Sequence, residues 1–315
     1  MIFDLSGERQ VFSLTGNVWN FLNSLCTKNL AAFRTALNQN AIASYLLNHR
    51  GRIVTDLLIS KPPSYFQCNN SVNELLVETA VEHVDNFYEV LNRFNFRKEV
   101  IFKHFPLKVY SQINGTIKSS SENSINEKQT IYEIKNEPKD SLEIFSFTHP
   151  LRLGQRIYCR DLLTGSATDI LKYNTERVLQ FAVPTSPKDL ISGVSLPFES
   201  NGDLLGMIDS DKGCYLGQEL TARSAISNVI RKRLVPYIIT RDSNREDEAF
   251  ENEMILDTGG NAVGKIISTY QNNEGNSDVI FGFALARQEH ELFGKNTNFF
   301  SKNYDLQFIK PPYFK

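Results

Sequence analysis

Apolar and polar positions follow two different periods over the first part of the chain. A short apolar run at 11–14, ended by Gly16, predicts a β-strand, and apolar residues at helical spacing then predict a helix. The apolar positions of that helix are Trp19, Phe21, Leu22 and Leu25. Residues 46–54 hold two apolar runs around a polar turn that contains glycine, which predicts a hairpin.

The same two periods recur over residues 75–110. An apolar run at 75–77 predicts a strand, and apolar residues at helical spacing predict an amphipathic helix over 82–95. Strands are predicted at 100–105 and 107–110, with Pro106 marking an edge or a bulge. The order strand, helix, strand predicts a small α/β sandwich packed beside the first elements.

Two later stretches differ from the rest of the chain in amino-acid composition and in the spacing of their apolar residues. Residues 111–140 are rich in Ser, Asn, Lys and Glu and cannot bury enough apolar surface to offset their ordering entropy. They predict a surface excursion, in which only the run at 131–134 could pair with a strand. Beyond a charged, turn-rich loop at 241–253 and a turn cluster at 257–261, strands are predicted at 264–268 and 279–287.

Length and composition narrow the class of protein. A chain of 315 residues predicts two or three domains, and 41% hydrophobic with 22% charged residues is typical of soluble globular proteins. A net charge of −2 provides no excess of cations to neutralise phosphates, which argues against a nucleic-acid binder. No apolar run approaches the ~20 residues that cross a bilayer, so we expect no membrane span.

The four cysteines, Cys26, Cys68, Cys159 and Cys214, lie far apart in the sequence. The absence of a C-x-x-C pair excludes a zinc ribbon or a ferredoxin-type cluster site built from local ligands. It also gives no disulfide framework, which fits a reducing compartment. The first residues resemble neither an Arg-rich presequence nor a secretory signal, so any mitochondrial targeting segment would be absent from this chain or atypical.

The segment from Asp211 to Arg223 places Cys214 between two glycines and just before a predicted helix start. Lys212 and the backbone N–H groups of a helix start would favour the thiolate, whereas Glu219 would oppose it. The alternative is that Cys214 is a small buried apolar residue and the glycines only serve a loop. Spacing alone leaves both interpretations open.

The longer run Lys212-Gly213-Cys214-Tyr215-Leu216-Gly217-Gln218-Glu219-Leu-Thr-Ala-Arg223, followed by residues 229–234, resembles a known signature. It is similar to the motif of the YgfZ branch of the aminomethyltransferase-like (GcvT-like), folate-binding family, and most of all to its mitochondrial iron–sulfur assembly members. Asp209-Ser210 departs from the Ser-Phe that the family commonly has there.

Further matches extend the resemblance over most of residues 11–290. They are Gly16 followed by Phe21-Leu22, then Gly51, Arg52 and Asp56, then Leu153, Gly154 and Arg156, and finally Tyr173, Arg177, Val183-Pro184, Asp189 and Gly193. Residues 196–201 resemble the Leu-Pro-x-Glu-x-Asn element of the family, in which a glutamate contacts the pterin of tetrahydrofolate. The resemblance therefore implies Glu199 and Asn201 as folate-binding candidates, whereas without it Glu199 would be interpreted as a surface residue.

The resemblance implies an α+β protein with the aminomethyltransferase (GcvT)-like fold and a small C-terminal β-barrel. We expect residues 1–230 to form a GcvT/YgfZ-like region of two subdomains that are discontinuous in sequence, and residues 231–315 to form the barrel. Two basic stretches stay open to interpretation. His49 and Arg50 would either face a ligand or be solvated turn residues, and Arg231 to Arg233 would either touch a partner or form a solvated interdomain face.

By the same resemblance, the chain is expected to be a mitochondrial matrix factor that helps mature [4Fe-4S] proteins, and the sequence leaves open whether it also catalyses a reaction. A cluster usually takes four protein ligands, so Cys214 could hold one only transiently and with a partner. The expected partners are A-type iron–sulfur carriers and [4Fe-4S] client enzymes, and tetrahydrofolate is the candidate cofactor. The alternatives are a tetrahydrofolate-dependent one-carbon transferase and a purely structural interaction module.

Overall fold

The computed structural model describes residues 1–62, 73–113, 145–160, 169–227, 229–242, 250–272, 277–293, 298–302 and 304–314. The helices of this part are α1 (Val18–Asn23), α2 (Leu30–Thr35), α3 (Val84–Phe94), α4 (Ile170–Thr175) and α5 (Gln218–Ser227). A 3₁₀ turn, Val81–His83, precedes α3, and a π-helical turn, Glu176–Gln180, continues α4. None of these described helices is long and apolar enough to cross a membrane.

A five-stranded antiparallel sheet forms the centre of the N-terminal region. Its strands, in spatial order, are β3 (Ala41–Leu47), β4 (Ile53–Ser60), β5 (Glu74–Ala80), β2 (Arg9–Gly16) and β6 (Val100–Phe105). Helices α1, α2 and α3 pack on one face through a core that includes Leu14, Leu22 and Leu91. Strands β3 and β4 are buried at every residue because their other face is covered as well.

A four-stranded antiparallel sheet packs against that other face. Its order is β1 (Ile2–Asp4), β7 (Lys108–Gln112), β9 (Gln155–Cys159) and β8 (Phe145–Thr148). Val109 and Tyr158 of this sheet share a core with Val11, Leu58 and Leu76 of the five-stranded sheet. The N-terminal region is therefore built of two sheets with helices on the outer face of one of them.

The C-terminal strands close into a six-stranded antiparallel barrel. Around the ring these are β10 (Lys232–Asp242), β16 (Tyr304–Phe308), β15 (Phe299–Ser301), β11 (Met254–Asp257), β12 (Ala262–Ile266) and β14 (Ser277–Arg287), which pairs back to β10. Strand β13 (Tyr270–Asn272) extends β14 at one edge. Phe281 and Phe283 of the barrel pack with Tyr45 and Leu47 of β3, which joins the barrel to the central sheet.

The predicted α+β class with a small C-terminal barrel is confirmed. The predicted strands at 11–14, 75–77, 100–105 and 279–287 lie within observed strands. The predicted helix over 82–95 corresponds to the 3₁₀ turn and α3, which end one residue earlier, at Phe94. The predicted strand at 107–110 belongs to the second sheet and not to a sandwich with α3, because β7 pairs with β1 and β9. Most of the predicted excursion at 111–140, including 131–134, and Cys68 lie outside the described residues.

Candidate functional site

The loop at residues 209–217, here the Cys214 loop, is fastened to residues 23–29 of the N-terminal region. The ammonium group of Lys212 donates to the carbonyl oxygens of Asn23 (2.8 Å), Lys28 (2.7 Å) and Cys26. The backbone N–H of Leu216 donates to Ser24 O over 2.9 Å. Residues that are distant in sequence thus hold the loop in place at several points.

Lys212 has a different role from the one its position beside Cys214 suggested. An ammonium group has three N–H donors, and the three carbonyl oxygens accept all of them. Burial lowers the pKa of Lys212 to about 8, so the group is still charged at neutral pH. Its charge is therefore directed at backbone carbonyls, and no donor is left for the neighbouring thiol.

Asp209 stands where the family signature commonly has Ser, and its contacts still hold the Cys214 loop in place. Its carboxylate accepts from Lys28 Nζ (2.5 Å) and from the backbone N–H of Asn29 (2.7 Å), and its own N–H donates to Thr27 O (3.0 Å). These contacts fasten the start of the loop to the same segment that binds Lys212. An aspartate here thus supports the approach of the loop.

The end of the loop packs on the turn of the β3–β4 hairpin. Gly217 and Gly51 both have positive φ, +74° and +73°. A Cβ atom at Gly217 would lie 2.3 Å from Asn48 O, a distance that no real side chain tolerates. Gly217 is therefore required for both its conformation and its close approach. Gly213, by contrast, borders open space among the described residues, since a Cβ atom added there would meet none of their atoms within 4 Å.

Cys214 is exposed, whereas Cys26 and Cys159 are buried. Burial raises the pKa of the Cys26 thiol to about 12, as expected of a core cysteine. The alternative in which Cys214 fills the core is therefore excluded. In the part of the chain that the structure describes, no three His, Cys, Asp or Glu side chains are grouped closely enough to hold a metal ion.

The remaining motif residues organise the start of α5. The side-chain oxygen of Gln218 accepts the backbone N–H of Tyr215 over 3.0 Å, which fastens the turn before the helix. Glu219 and Arg223 form an exposed ion pair at 2.5 Å, one helical turn apart. The ring of Tyr215 lies 4.8 Å from Lys212 Nζ. Helix α5 begins four residues after Cys214, so its first N–H groups follow the thiol in sequence.

The structure places Glu199 and Asn201 at the junction with the barrel. Glu199 is half-buried, and burial raises its pKa, against the opposing charges of Lys232 and Arg52. Asn201 is fully buried, and its amide donates to Leu234 O (2.7 Å) and to the Tyr313 hydroxyl (3.2 Å). Asn201 thus ties the loop at 196–201 to β10 and to the C-terminal segment, and the folate-binding role of both residues stays a prediction.

A cavity of about 390 Å³ is lined by residues of both N-terminal sheets, of α4 and of the loop at 185–188. Its apolar wall includes Leu58, Tyr173 and Met207, and its polar lining includes Arg156 and His149. Glu199, Asn201 and the residues of the Cys214 loop do not line it. The volume lies in the range of pockets that bind small molecules.

A buried ionic network forms one wall of this cavity. Arg9 contacts Asp56 at 3.0 Å and Glu78 at 2.8 Å, and Arg156 Nε lies 3.2 Å from the other oxygen of Glu78. Burial alone would raise the pKa of Asp56, but Arg9 and the donors of Ser186 hold it below its usual value. The Nη1 atom of Arg156 is buried and has no hydrogen-bond partner among the described residues. A buried donor of this kind is suited to an acceptor on a ligand.

Two further groups line the same cavity. His149 accepts the backbone N–H of Leu151 at Nδ1 (3.2 Å), so a neutral His149 carries its proton on Nε2. Burial and the nearby Arg156 and Arg9 charges lower the pKa of His149 well below 6.5. Arg177 donates to Asp189 (2.6 Å) and to the Tyr270 hydroxyl (2.8 Å), and this triad connects the cavity wall to the barrel.

No sequence motif marks this cavity as a site. Asp56, Arg156, Arg177 and Asp189 are matches to the family pattern, and nothing local in the sequence shows that Asp56, Arg156 and Arg177 line one cavity or that Asp189 pairs with Arg177. Their pairing joins β2, β4, β5, β9 and the loop at 183–189, so the signal lies in long-range contacts. Charged residues inside otherwise apolar strands, such as Glu78 in β5, are the one hint that the sequence offers.

The fold is that of the aminomethyltransferases. The glycine cleavage system aminomethyltransferase T of Bartonella henselae matches with a TM-score of 0.62, covering 99% of this chain and 86% of that one. Sequence identity in that match is 12%, so the similarity concerns the fold alone.

By sequence, the chain is similar to proteins named for iron–sulfur cluster assembly. The mitochondrial iron-sulfur cluster assembly factor IBA57 homolog of Neurospora crassa is 27% identical over 237 residues, 74% of this chain and 52% of that protein. The mitochondrial factor IBA57 of Homo sapiens is 28% identical over 228 residues, 70% of this chain and 60% of that protein. No family model matches the chain. The similarities confirm the resemblance found in the motifs, and the chain spans only 52–60% of the length of these two relatives.

Proposed function

We propose that this chain is a mitochondrial assembly factor that supports the maturation of [4Fe-4S] proteins. The observation that carries the proposal is the exposed thiol of Cys214 on a loop held by Lys212, Asp209 and Gly217. A fixed, accessible thiol is suited to ligate iron in a complex that forms and separates. The names of the relatives support the same role and the mitochondrial location.

In this proposal the cluster is cargo that the chain shares with a partner. Cys214 supplies one soft ligand, and clusters are held mostly by thiolates, usually four. The described part of the chain groups no further ligands into a metal site, so the others come from the partner. A-type iron–sulfur carriers and the [4Fe-4S] client enzymes are the partners that this role requires.

The second candidate function, a tetrahydrofolate-dependent one-carbon transferase, is favoured by the cavity beside Arg156. The cavity offers apolar walls and the unpartnered donor of Arg156, and both fit a heteroaromatic ligand that carries acceptor oxygens. A transferase also needs a carboxylate that can act as a base. Asp56 is paired with Arg9 and its pKa is lowered, which makes it a weak base. We therefore rank the transferase second, and we propose folate as a ligand that an assembly factor binds without transferring a one-carbon group.

Depletion of the protein in the cells that express it tests whether the assembly function or the transferase function is correct. We expect aconitase-type [4Fe-4S] enzyme activities to fall while [2Fe-2S] proteins and glycine cleavage keep theirs, and the tagged protein to fractionate with mitochondria. Loss of a folate-dependent transfer with intact [4Fe-4S] enzymes would instead support the transferase. If [4Fe-4S] enzymes and folate-dependent reactions were all unchanged, both functions would be wrong.

A further inference from the structure

We propose that the surface beside Cys214 is a basic docking face for an acidic face of a partner protein. The basic face is defined by His49, Arg50, Arg52, Arg231 and Lys232. This proposal rests on the proposed function, because it describes the partner that would share the Cys214 site. Three observations support it, namely the proximity of these residues, their lack of ion-pair partners in the described ranges, and the apolar side chains among them.

The hairpin turn and the Cys214 loop are in direct contact. A Cβ atom at Gly51 would lie 2.8 Å from Gly217 O and 2.9 Å from Leu220 Cβ. The turn that carries His49 and Arg50 is thus packed against the end of the Cys214 loop and the first turn of α5.

The same turn reaches the start of the barrel at Glu199. The guanidinium of Arg52 donates to Val194 O over 2.5 Å, and the backbone N–H of Leu234 donates to Glu199 O over 2.7 Å. Burial raises the pKa of Glu199, and the charges of Lys232 and Arg52 both act against that rise. Arg52 of the hairpin turn and Lys232 of β10 thus both lie near Glu199, which connects the two ends of the basic face.

Among the residues that the structure describes, the charges on this face differ from other cations in having no ion-pair partner. Arg233, the next residue of β10, forms two 2.8 Å hydrogen bonds with Asp203. Arg50, Arg231 and Lys232 are exposed, and none of them forms an ion pair with another residue in the described ranges. In those ranges, Asp211 and the half-buried Glu199 are the nearby carboxylates not already paired, since Glu219 binds Arg223. Because the whole chain has a net charge of −2, this excess of cations is local.

Apolar side chains accompany the cations. Leu220, Val194 and Val229 are exposed to 36%, 57% and 63%. Protein interfaces combine such apolar contacts with a polar rim, whereas single-stranded nucleic acids are bound on aromatic side chains that stack on bases. The face offers aliphatic side chains and cations beside a thiol, so a protein with an acidic surface is the occupant that it fits.

The first test uses polyglutamate as a simple acidic probe and alkylation of Cys214 as the readout, in a Cys68→Ser background. At low salt we expect polyglutamate to slow the reaction of iodoacetamide with Cys214 several-fold, and polylysine to leave it unchanged. The double variant Arg50→Glu/Arg231→Glu should lose this protection.

A matched control, Arg93→Glu/Lys103→Glu, reverses two positive charges on α3 and on β6, which lies at the opposite edge of the central sheet. This control should keep the protection by polyglutamate. Comparing rates with and without the probe removes any direct effect of the variants on the thiol.

The second test measures the association of these proteins with a purified A-type carrier. We expect charge reversal on the basic face to reduce the association rate about tenfold at low salt, and the difference to disappear near ~0.5 M salt because charges are screened. The control variant should bind like the parent protein. Equal behaviour of the two double variants in both tests would overturn the basic face while leaving the assembly function intact. Protection by polyglutamate without carrier binding would keep the basic face and overturn the carrier as its partner.

Discussion

Gly51 and Gly217 face each other where the β3–β4 hairpin meets the Cys214 loop. A Cβ atom at Gly217 would lie 2.9 Å from Gly51 Cα, so neither position leaves room for a side chain. The glycine of the hairpin and the glycine that follows Cys214 are thus two sides of one contact. This contact fastens the end of the Cys214 loop to the hairpin turn.

Replacing Gly217 with Ala should displace this loop. The added Cβ would meet Asn48 O at 2.3 Å, and the residue would have to keep a φ of +74°. We expect a loss of about 1–3 kcal/mol in the free energy of unfolding and a changed rate of Cys214 alkylation. Chemical denaturation and iodoacetamide kinetics measure the two effects. Gly213→Ala is the matched control, because its Cβ meets no atom of the described part of the chain within 4 Å. An equal effect of the two substitutions would contradict the contact.

Replacing Lys212 with Met should loosen the segment at 23–28. The substitution leaves the carbonyls of Asn23, Cys26 and Lys28 without their shared donor. We expect a loss of about 1–3 kcal/mol in stability and faster hydrogen exchange at the amides of residues 23–28 and 214–217. Lys265→Met on the exposed side of β12 is the control. Unchanged exchange in the Lys212 variant would mean that the carbonyl contacts do not hold the loop.

The features of this structure that the sequence predicts are those that depend on contacts between residues close together in the sequence. Local periods are sufficient for β2, α3 and β14, because burial of one face repeats within a few residues. The hydrogen-bond partners of Lys212 could not be predicted from the sequence. Its position beside Cys214 suggests an effect on the thiol, whereas the three carbonyl groups that accept its N–H donors belong to residues 23–28, far away in the sequence. The role of Arg156 could not be predicted either. Its match to the family pattern does not show that its side chain lines a cavity or that its Nη1 donor has no partner among the described residues.

Acid should destabilise the protein through His149. Its folded pKa lies well below the usual 6.5, so the unfolded chain binds a proton that the folded protein does not. The contribution of His149 is fully present above pH 6.5 and is lost as pH falls, by about 1.4 kcal/mol per pH unit. His149→Asn keeps an acceptor for the N–H of Leu151 but does not titrate. We expect its stability to fall less than that of the parent between about pH 7.5 and 5, as measured by denaturation at each pH. Parallel pH profiles would show that His149 is not buried as a neutral group.

Folate binding should distinguish the cavity from the loop at 196–201. If tetrahydrofolate occupies the cavity, Arg156→Lys removes the unpartnered Nη1 donor while keeping a charge beside Glu78, and should weaken binding by about 1–3 kcal/mol. If Glu199 contacts the pterin, as the family resemblance implies, Glu199→Ala should produce a loss of similar size. Calorimetric titration of both variants separates the two sites. Loss in Glu199→Ala alone would place the ligand outside the cavity.

The function of Cys214 is tested by its replacement with serine. Serine is nearly the same size but stays protonated near neutral pH, so it cannot replace a soft ligand of iron. Because Cys214 is exposed, the change should leave the thermal midpoint within about 1 °C of the parent, as is usual for surface substitutions. Rescue of aconitase-type activity in depleted cells should nevertheless be lost. Cys26→Ser provides the contrast, since a hydroxyl in that buried site should lower the midpoint by several degrees. Full rescue by Cys214→Ser at normal protein levels would mean that the thiol is not used, and the loop would then serve only to present its neighbours to a partner.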